Sequence, residues 1–142
     1  MSSNADRLFA RYAESHRDPV NKAIHWVCVP LITWSVLAMF WAWSPVAAYV
    51  LIAAAMTFYL WLAPAIAIGM LGVTAAMVLP LTLLGSHVLA VAIVVFVLAW
   101  IGQFIGHRIE GRKPSFFEDL KFLLVGPAWL LASLYERAGL RY

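Results

Sequence analysis

The chain has 142 residues, of which 64% are hydrophobic and only 12% are charged, with a formal net charge of +3. Soluble domains carry about 25% charged residues, so this composition excludes an ordinary soluble globular domain and favours a protein that crosses a membrane several times. The basic residues form no patch typical of nucleic-acid binding, so no nucleic-acid partner is expected.

A long run without charge marks the membrane-spanning part of the chain. From Ala23 to His107 there is no Asp, Glu, Lys or Arg. A helix crosses a hydrocarbon core ~30 Å thick in about 20 residues, so this run allows about four crossings. All ten Lys and Arg lie outside the run, and the positive-inside rule then puts both termini in the cytoplasm, which requires an even number of crossings. The sequence therefore predicts an all-α integral membrane bundle of about four transmembrane helices, in a bacterial inner membrane or in the endoplasmic reticulum of a eukaryote.

The N-terminal segment precedes this bundle. Residues 5–15 place apolar side chains on one helical face and charged side chains on the other, which is typical of a short amphipathic helix at the membrane surface. The charges in this region are unlike a cleaved signal peptide, so the mature protein is expected to start near Met1. Asp18 and Pro19 suit the cap and the first residue of a second helix.

Proline and glycine residues divide the apolar run. The break between the second and third crossings is expected among Pro64, Gly69 and Gly72, although Gly69, Gly72 and Ala76 equally suit a small-residue face for close helix packing. Gly85 is a turn signal before the last crossing. The four crossings are expected at about 23–43, 46–64, 67–84 and 87–107.

Residues 116–138 form a less hydrophobic C-terminal tail. Ser115 and Glu118 have the spacing of a capping box, and Gly126-Pro127 interrupts the helical pattern that follows. The tail is too short and too interrupted for a further crossing, so it is predicted to form interfacial or re-entrant helices. The whole chain is expected to be a single membrane domain.

The four histidines are the polar residues that most need an explanation. His16, His25 and His107 are expected near the cytoplasmic boundary on three separate segments. In one continuous helix His16 and His25 would lie on opposite faces, but the break at Asp18 allows their rings to converge. His87 lies about 30 Å along the last helix from His107 and is not expected to join them.

One face of the last crossing is also polar. Gln103, His107 and Glu110 have i, i+4, i+7 spacing, and a His and a Glu three residues apart can present two metal ligands together. Neutral imidazoles suit iron, copper or zinc, and a glutamine inside a membrane helix favours a site over lipid. A metal site on the cytoplasmic side is one interpretation. The other is that the histidines are interfacial polar residues and that Glu110 pairs with a neighbouring cation at 108, 112 or 113.

Two blocks of the sequence resemble a known family. "YAESHRDPVNKAIHWVCVPLI" (12–32) and "WIGQFIGHRIEGRKPSFFEDLKFLLVGPAWLL" (100–131) are similar to the signature blocks of the membrane-embedded iron(II)-dependent 2-hydroxy fatty acid dioxygenases, whose eukaryotic members act in phytosphingosine breakdown. The first block of that family commonly reads His-His-Asn-Pro, whereas this chain has His16-Arg17-Asp18-Pro19. The residues that carry the resemblance are Tyr12, His16, Pro19, Asn21, His25 and Pro30 in the first block and Gln103, Gly106, His107, Glu110 and Pro114 in the second.

The resemblance implies an Fe2+- and O2-dependent α-oxidation that shortens a 2-hydroxy fatty acid by one carbon. By motif match His16, His25 and His107 would be the iron ligands, with Glu110 or Asp18 filling a further place. Gln103 and Glu110 are the catalytic candidates: Gln103 would hydrogen-bond water, O2 or substrate, and Glu110 would be either a ligand or an acceptor that orients an imidazole. The expected partners are a 2-hydroxy fatty acid, O2 and membrane lipids. The candidates to bind the substrate carboxylate are Arg17, Lys22, Arg108 and Arg112. The positive-inside rule explains the positions of these four basic residues equally well.

Two other classes of protein remain open at this point. A b-type haem protein needs two axial histidines from facing helices, which His25 and His107 could supply. A noncatalytic membrane scaffold or lipid carrier needs no metal at all. A di-iron desaturase or hydroxylase is discounted because it would need more ligands than four histidines normally supply.

Overall fold

The computed structural model describes residues 4–111 and 122–142, and all regular secondary structure in these residues is helical. The capping box expected at Ser115 and Glu118 lies outside the described residues. The helices are α1 (Asn4–Ala13), α2 (Pro19–Trp43), α3 (Pro45–Leu62), α4 (Pro64–Leu84), a short 3-10 turn (Gly85–His87), α5 (Val88–Glu110) and α6 (Val125–Arg137).

Within the described ranges, three helical stretches are long and apolar enough to cross a membrane: Pro19–Trp43, Pro45–Leu62 and Pro64–Glu110. The third extends over 47 residues because α4, the 3-10 turn and α5 follow one another without a gap. Its geometry changes at Gly85, which has φ 53°, in the left-handed region that glycine adopts without a Cβ penalty. The prediction of an all-α chain with apolar helices long enough to span a membrane is confirmed, with three such stretches in the described residues where four crossings were expected.

Helix starts follow local sequence chemistry. The Asp18 carboxylate accepts hydrogen bonds from the backbone N–H groups of Val20 (2.8 Å) and Asn21 (3.1 Å) and thereby caps α2. Proline is the first residue of α2, α3 and α4, where its fixed φ suits the helix and its missing N–H costs nothing. Gly69 lies inside α4, where a Cβ would overlap the Tyr135 hydroxyl, so this glycine permits close packing of α6.

Tyrosine hydroxyls fasten α6 and the turn before it to the bundle. Tyr59 donates a hydrogen bond to the Leu124 carbonyl (3.0 Å), and Tyr135 donates one to the Ala65 carbonyl (3.0 Å). The end of α3 and the start of α4 therefore lie beside α6, and α1 packs on α6 as well. We call this part of the bundle the α1–α6 end.

The opposite end is an apolar cluster. Leu81 near the end of α4 and Val88 at the start of α5 pack with Leu37 of α2 and Ala48 of α3. Consecutive helices from α2 to α5 therefore alternate in direction, and the largest helix interface joins α2 to α5. This arrangement returns the C-terminal part of α5 to the α1–α6 end, beside the start of α2.

Candidate functional site at the α1–α6 end

Three imidazoles meet at the α1–α6 end. His16 follows α1, His25 lies in α2 and His107 lies in the last turns of α5, and their exposed fractions are only 3%, 1% and 5%. Their ring centroids are 4.2 Å apart for His16 and His25, 5.5 Å for His25 and His107, and 6.4 Å for His16 and His107. His87 is exposed in the 3-10 turn at the opposite end. The structure thus brings together the three histidines expected to converge and leaves His87 apart.

Backbone carbonyls fix the orientation of two of these rings. The Nδ1 atom of His16 lies 2.7 Å from the Tyr12 carbonyl oxygen, and that of His25 lies 2.9 Å from the Asn21 carbonyl oxygen. A carbonyl only accepts hydrogen bonds, so each Nδ1 carries the proton and, in the neutral ring, Nε2 keeps the lone pair. Imidazoles that bind metals commonly donate their other nitrogen to a carbonyl in this way.

Glu110 holds the turn between α1 and α2. One carboxylate oxygen, Oε1, accepts a hydrogen bond from the Arg17 backbone N–H at 2.9 Å. The other, Oε2, accepts one from the Asp18 backbone N–H and one from the Asn21 side-chain amide, both at 2.9 Å. Glu110 thus positions the segment that carries His16 and His25. Its hydrogen-bond partners are backbone N–H groups and a side-chain amide, whereas the sequence suggested an imidazole or a cation.

Two glycines of α5 allow α2 to approach closely. A Cβ at Gly106 would lie 2.5 Å from Oδ1 of Asn21, and a Cβ at Gly102 would lie 2.5 Å from Sγ of Cys28. Asn21 is fully buried against Gly106. The Gly-x-x-x-Gly spacing of Gly102 and Gly106 is the sequence signal for such a contact, and the hydropathy and histidine patterns did not identify it.

Gln103 lies one helical turn inside His107. Its side chain is 4% exposed, and within the described part of the chain its Oε1 atom has no hydrogen-bond partner. It lines a small cavity of about 20 Å³ together with Tyr12, Ile32, Trp100 and Leu123. A buried water needs roughly 10–15 Å³ by this measure, so the cavity can hold one small molecule beside an amide.

Aromatic rings enclose His16 on one side. The Tyr12 ring stacks on the His16 ring with centroids 4.3 Å apart and an interplanar angle of 19°, and Trp129 of α6 lies 6.0 Å away. The same Tyr12 side chain contacts both Trp129 and Phe122. The imidazole cluster therefore has an aromatic wall on its α1–α6 side.

The charged candidates lie at the edge of the cluster. Arg17, Lys22 and Arg108 are exposed, and Arg112 lies outside the described residues. Asp18 is engaged as the cap of α2. The cations next to His16 and His107 in sequence are thus at the surface, where a carboxylate arriving from water or from the membrane boundary can reach them.

The fit of a metal to this cluster can be judged from its donors. Among residues 4–111 and 122–142, no group of three or more His, Cys, Asp or Glu side chains stands in a metal-binding arrangement. The donor type nevertheless fits a divalent transition metal, because three buried imidazoles lie together and two of them have a proton fixed on Nδ1.

An apolar helical bundle with buried polar side chains gathered at one end defines a membrane-type protein with a histidine-lined site. Residues 2–138 match the family described as 2-hydroxy-palmitic acid dioxygenase Mpo1-like, and the chain belongs to this family. The resemblance of the two signature blocks and the prediction of a dioxygenase are confirmed at this level. Comparisons with the curated proteins and with the solved structures gave no match.

Proposed function

We propose that the chain is an iron(II)- and O2-dependent dioxygenase that shortens 2-hydroxy fatty acids by one carbon at the cytoplasmic boundary of a membrane. The observation that carries this proposal is the convergence of His16, His25 and His107 from three segments into one buried cluster. Family membership supports the substrate class and the use of O2.

His16, His25 and His107 would hold the iron. Bound Fe2+ would supply the means to activate O2 and to chelate the hydroxyl and carboxylate oxygens of the substrate, as three-ligand iron sites with open positions do. The protein contributes rings whose Nδ1 protons are fixed by the carbonyls of Tyr12 and Asn21. These contacts fix the ring orientation of His16 and His25, and with it the direction of each Nε2 lone pair, without a bound metal.

The remaining polar residues would position the turn between α1 and α2 and bind a small molecule or the substrate. Gln103 offers its side-chain amide to a small molecule in the adjoining cavity. Glu110 keeps the turn that carries His16 in register with α5 through its hydrogen bonds to Arg17 and Asp18. The exposed cations Arg17, Lys22 and Arg108, with Arg112 outside the described residues, are the groups proposed to attract the substrate carboxylate.

The proposed topology has four crossings with both termini in the cytoplasm. In it α4 and α5 are separate crossings joined at Gly85–His87, because the two ends of the 47-residue stretch both lie at the α1–α6 end. At about 1.5 Å per residue, a straight helix of that length would reach about 70 Å, more than twice the ~30 Å hydrocarbon core. The concentration of Lys and Arg outside Ala23–His107 then puts the histidine cluster on the cytoplasmic side.

The experiment that tests this function combines metal content with product analysis. Protein purified anaerobically without a histidine tag should contain iron near one equivalent and should convert 2-hydroxypalmitate to the acid one carbon shorter when O2 is admitted. Iron-free, folded protein that remains inactive after Fe2+ is added would contradict the proposal. A haem absorption band would instead favour the b-type haem protein, with His25 and His107 as the axial ligands.

A further inference from the structure

A second cavity, which we call the interhelical cavity, lies between α2, α3 and α4. Its volume is about 90 Å³, several times that of the Gln103 cavity. Its walls are almost wholly apolar, and they include side chains from all three helices and from the turn before α6. Representative lining residues are Thr33, Leu37, Ala55, Met70, Thr74 and Leu123.

Two of the three hydroxyl side chains in this wall, those of Thr33 and Tyr59, are already hydrogen-bonded within the protein. The Thr33 hydroxyl donates a hydrogen bond to the Val29 carbonyl at 3.0 Å, and the Tyr59 hydroxyl donates one to the Leu124 carbonyl at 3.0 Å. A polar ligand would gain little here, whereas a hydrocarbon chain gains roughly fourfold in affinity for each methylene that it buries.

Leu123 lies between this cavity and the cavity beside Gln103. It lines both the interhelical cavity and the Gln103 cavity, and it packs against the buried cluster that includes Ile32 and Trp100. Ile32 faces the Gln103 cavity while its neighbour Thr33 faces the interhelical one. The two cavities are therefore adjacent compartments with Leu123 as part of their common wall.

We propose that the interhelical cavity receives the methyl-end part of the acyl tail of the 2-hydroxy fatty acid, and that the tail passes Leu123 on its way from the histidine cluster. This inference rests on the proposed function, since it assumes that the head group lies at the histidines. From His25 to Leu37 the rise along α2 is about 18 Å. One leaflet of a bilayer whose hydrocarbon core is ~30 Å thick is about 15 Å deep, which is the reach of a membrane acyl chain. The path from the histidines to the far wall of the cavity is thus long enough for such a tail.

A matched pair of alanines on α3 tests the assignment. Ala55 lines the cavity, whereas its neighbour Ala54 is exposed on the outer surface of α3. Ala55→Leu should lower the ratio of kcat/KM for a 16-carbon to an 8-carbon 2-hydroxy acid at least tenfold, because it displaces several methylenes. Ala54→Leu should leave the ratio unchanged. An equal loss for both chain lengths in Ala55→Leu, or the same ratio in both variants, would overturn the inference.

A binding experiment separates failure of this inference from failure of the proposed function. Palmitate carrying a photoreactive diazirine near its methyl end is added to the protein in lipid nanodiscs and irradiated. The inference requires labelling of cavity residues such as Met70 and Thr74, and loss of that label when 2-hydroxypalmitate is added. Labelling that persists would identify the occupant as bilayer lipid and would overturn it, as would labelling only of outward-facing side chains. Displaceable labelling without turnover would support the acyl cavity and contradict the dioxygenase.

Discussion

The carboxylate of Glu110 lies 2.9 Å from the side-chain amide of Asn21, so the last residue of α5 is joined to the first turn of α2. The same carboxylate accepts the backbone N–H groups of Arg17 and Asp18. Three hydrogen bonds thus hold the turn that lets His16 face His25. Glu110 acts on the histidine cluster through the backbone that carries it.

Glu110→Gln should therefore weaken the site without removing a ligand. The amide keeps one acceptor oxygen but presents N–H groups toward donors, so at least one of the three hydrogen bonds is lost. We expect a decrease of about 10–100-fold in iron affinity or in turnover, measured by metal titration and product formation. Glu136→Gln is the control, because Glu136 is exposed and contacts Tyr142. Equal effects of the two substitutions would show that charge alone, and not the turn, is responsible.

The three clustered histidines should behave as one unit. His16→Ala, His25→Ala and His107→Ala should each lose bound iron and 2-hydroxy fatty acid turnover together, because each removes one of only three neighbouring imidazoles. His87→Ala should retain both, since His87 is exposed at the other end of the bundle. Iron analysis and product analysis on folded variants check this. Stoichiometric iron in any two of the three clustered variants would refute a shared site.

Gly106→Ala should destabilise the protein and disturb the site. The new Cβ would lie 2.5 Å from Oδ1 of the fully buried Asn21, so α2 and α5 must separate or Asn21 must move. Overpacking of this kind costs about 1–3 kcal/mol. Gly72→Ala is the matched control, because a Cβ there meets nothing within 4 Å and alanine favours the helix by up to ~1 kcal/mol. Thermal unfolding in detergent should show a lower Tm for the first variant only. Equal Tm values for Gly106→Ala and the unsubstituted protein would mean that the α2–α5 contact is not close-packed.

The topology can be tested with single cysteines in a Cys28→Ala background. Asn4→Cys and Arg141→Cys should both react with a membrane-impermeant reagent from the cytoplasmic side, whereas Ser86→Cys should react from the opposite side. All three positions are exposed. Labelling of the two termini from opposite sides would contradict an even number of crossings, and labelling of Ser86→Cys together with the termini would contradict a turn at Gly85–His87.

The features that the sequence could predict are those governed by local pattern. The absence of charge between Ala23 and His107 predicted apolar helices, and the Asp18-Pro19 break made it possible for the rings of His16 and His25 to converge. The role of Glu110 was not predictable in this way, because its partners include backbone N–H groups in a turn more than ninety positions earlier in the chain. Every residue except proline has a backbone N–H, so the residue types do not indicate which of these groups will donate to Glu110.

The interhelical cavity could not be predicted for a related reason. Its walls come from α2, α3, α4 and the turn at Leu123, and most of the lining side chains are apolar. The cavity depends on how these four segments pack together, which no single segment of the sequence reveals. The Gly102 and Gly106 contacts are intermediate: their spacing was visible in the sequence, but their partners Cys28 and Asn21 became known only from the packing.

The large interface between α2 and α5 has a consequence for biosynthesis. His25 lies on the first of the long helices and His107 near the end of the last, with α3 and α4 between them in the chain. While the ribosome is still making α3 and α4, the segment that carries His16 and His25 has neither Glu110 to hold its turn nor His107 beside it. The histidine cluster therefore cannot form until α5 has been synthesised and has folded back along α2, so the growing chain lacks the complete cluster while α3 and α4 are being made.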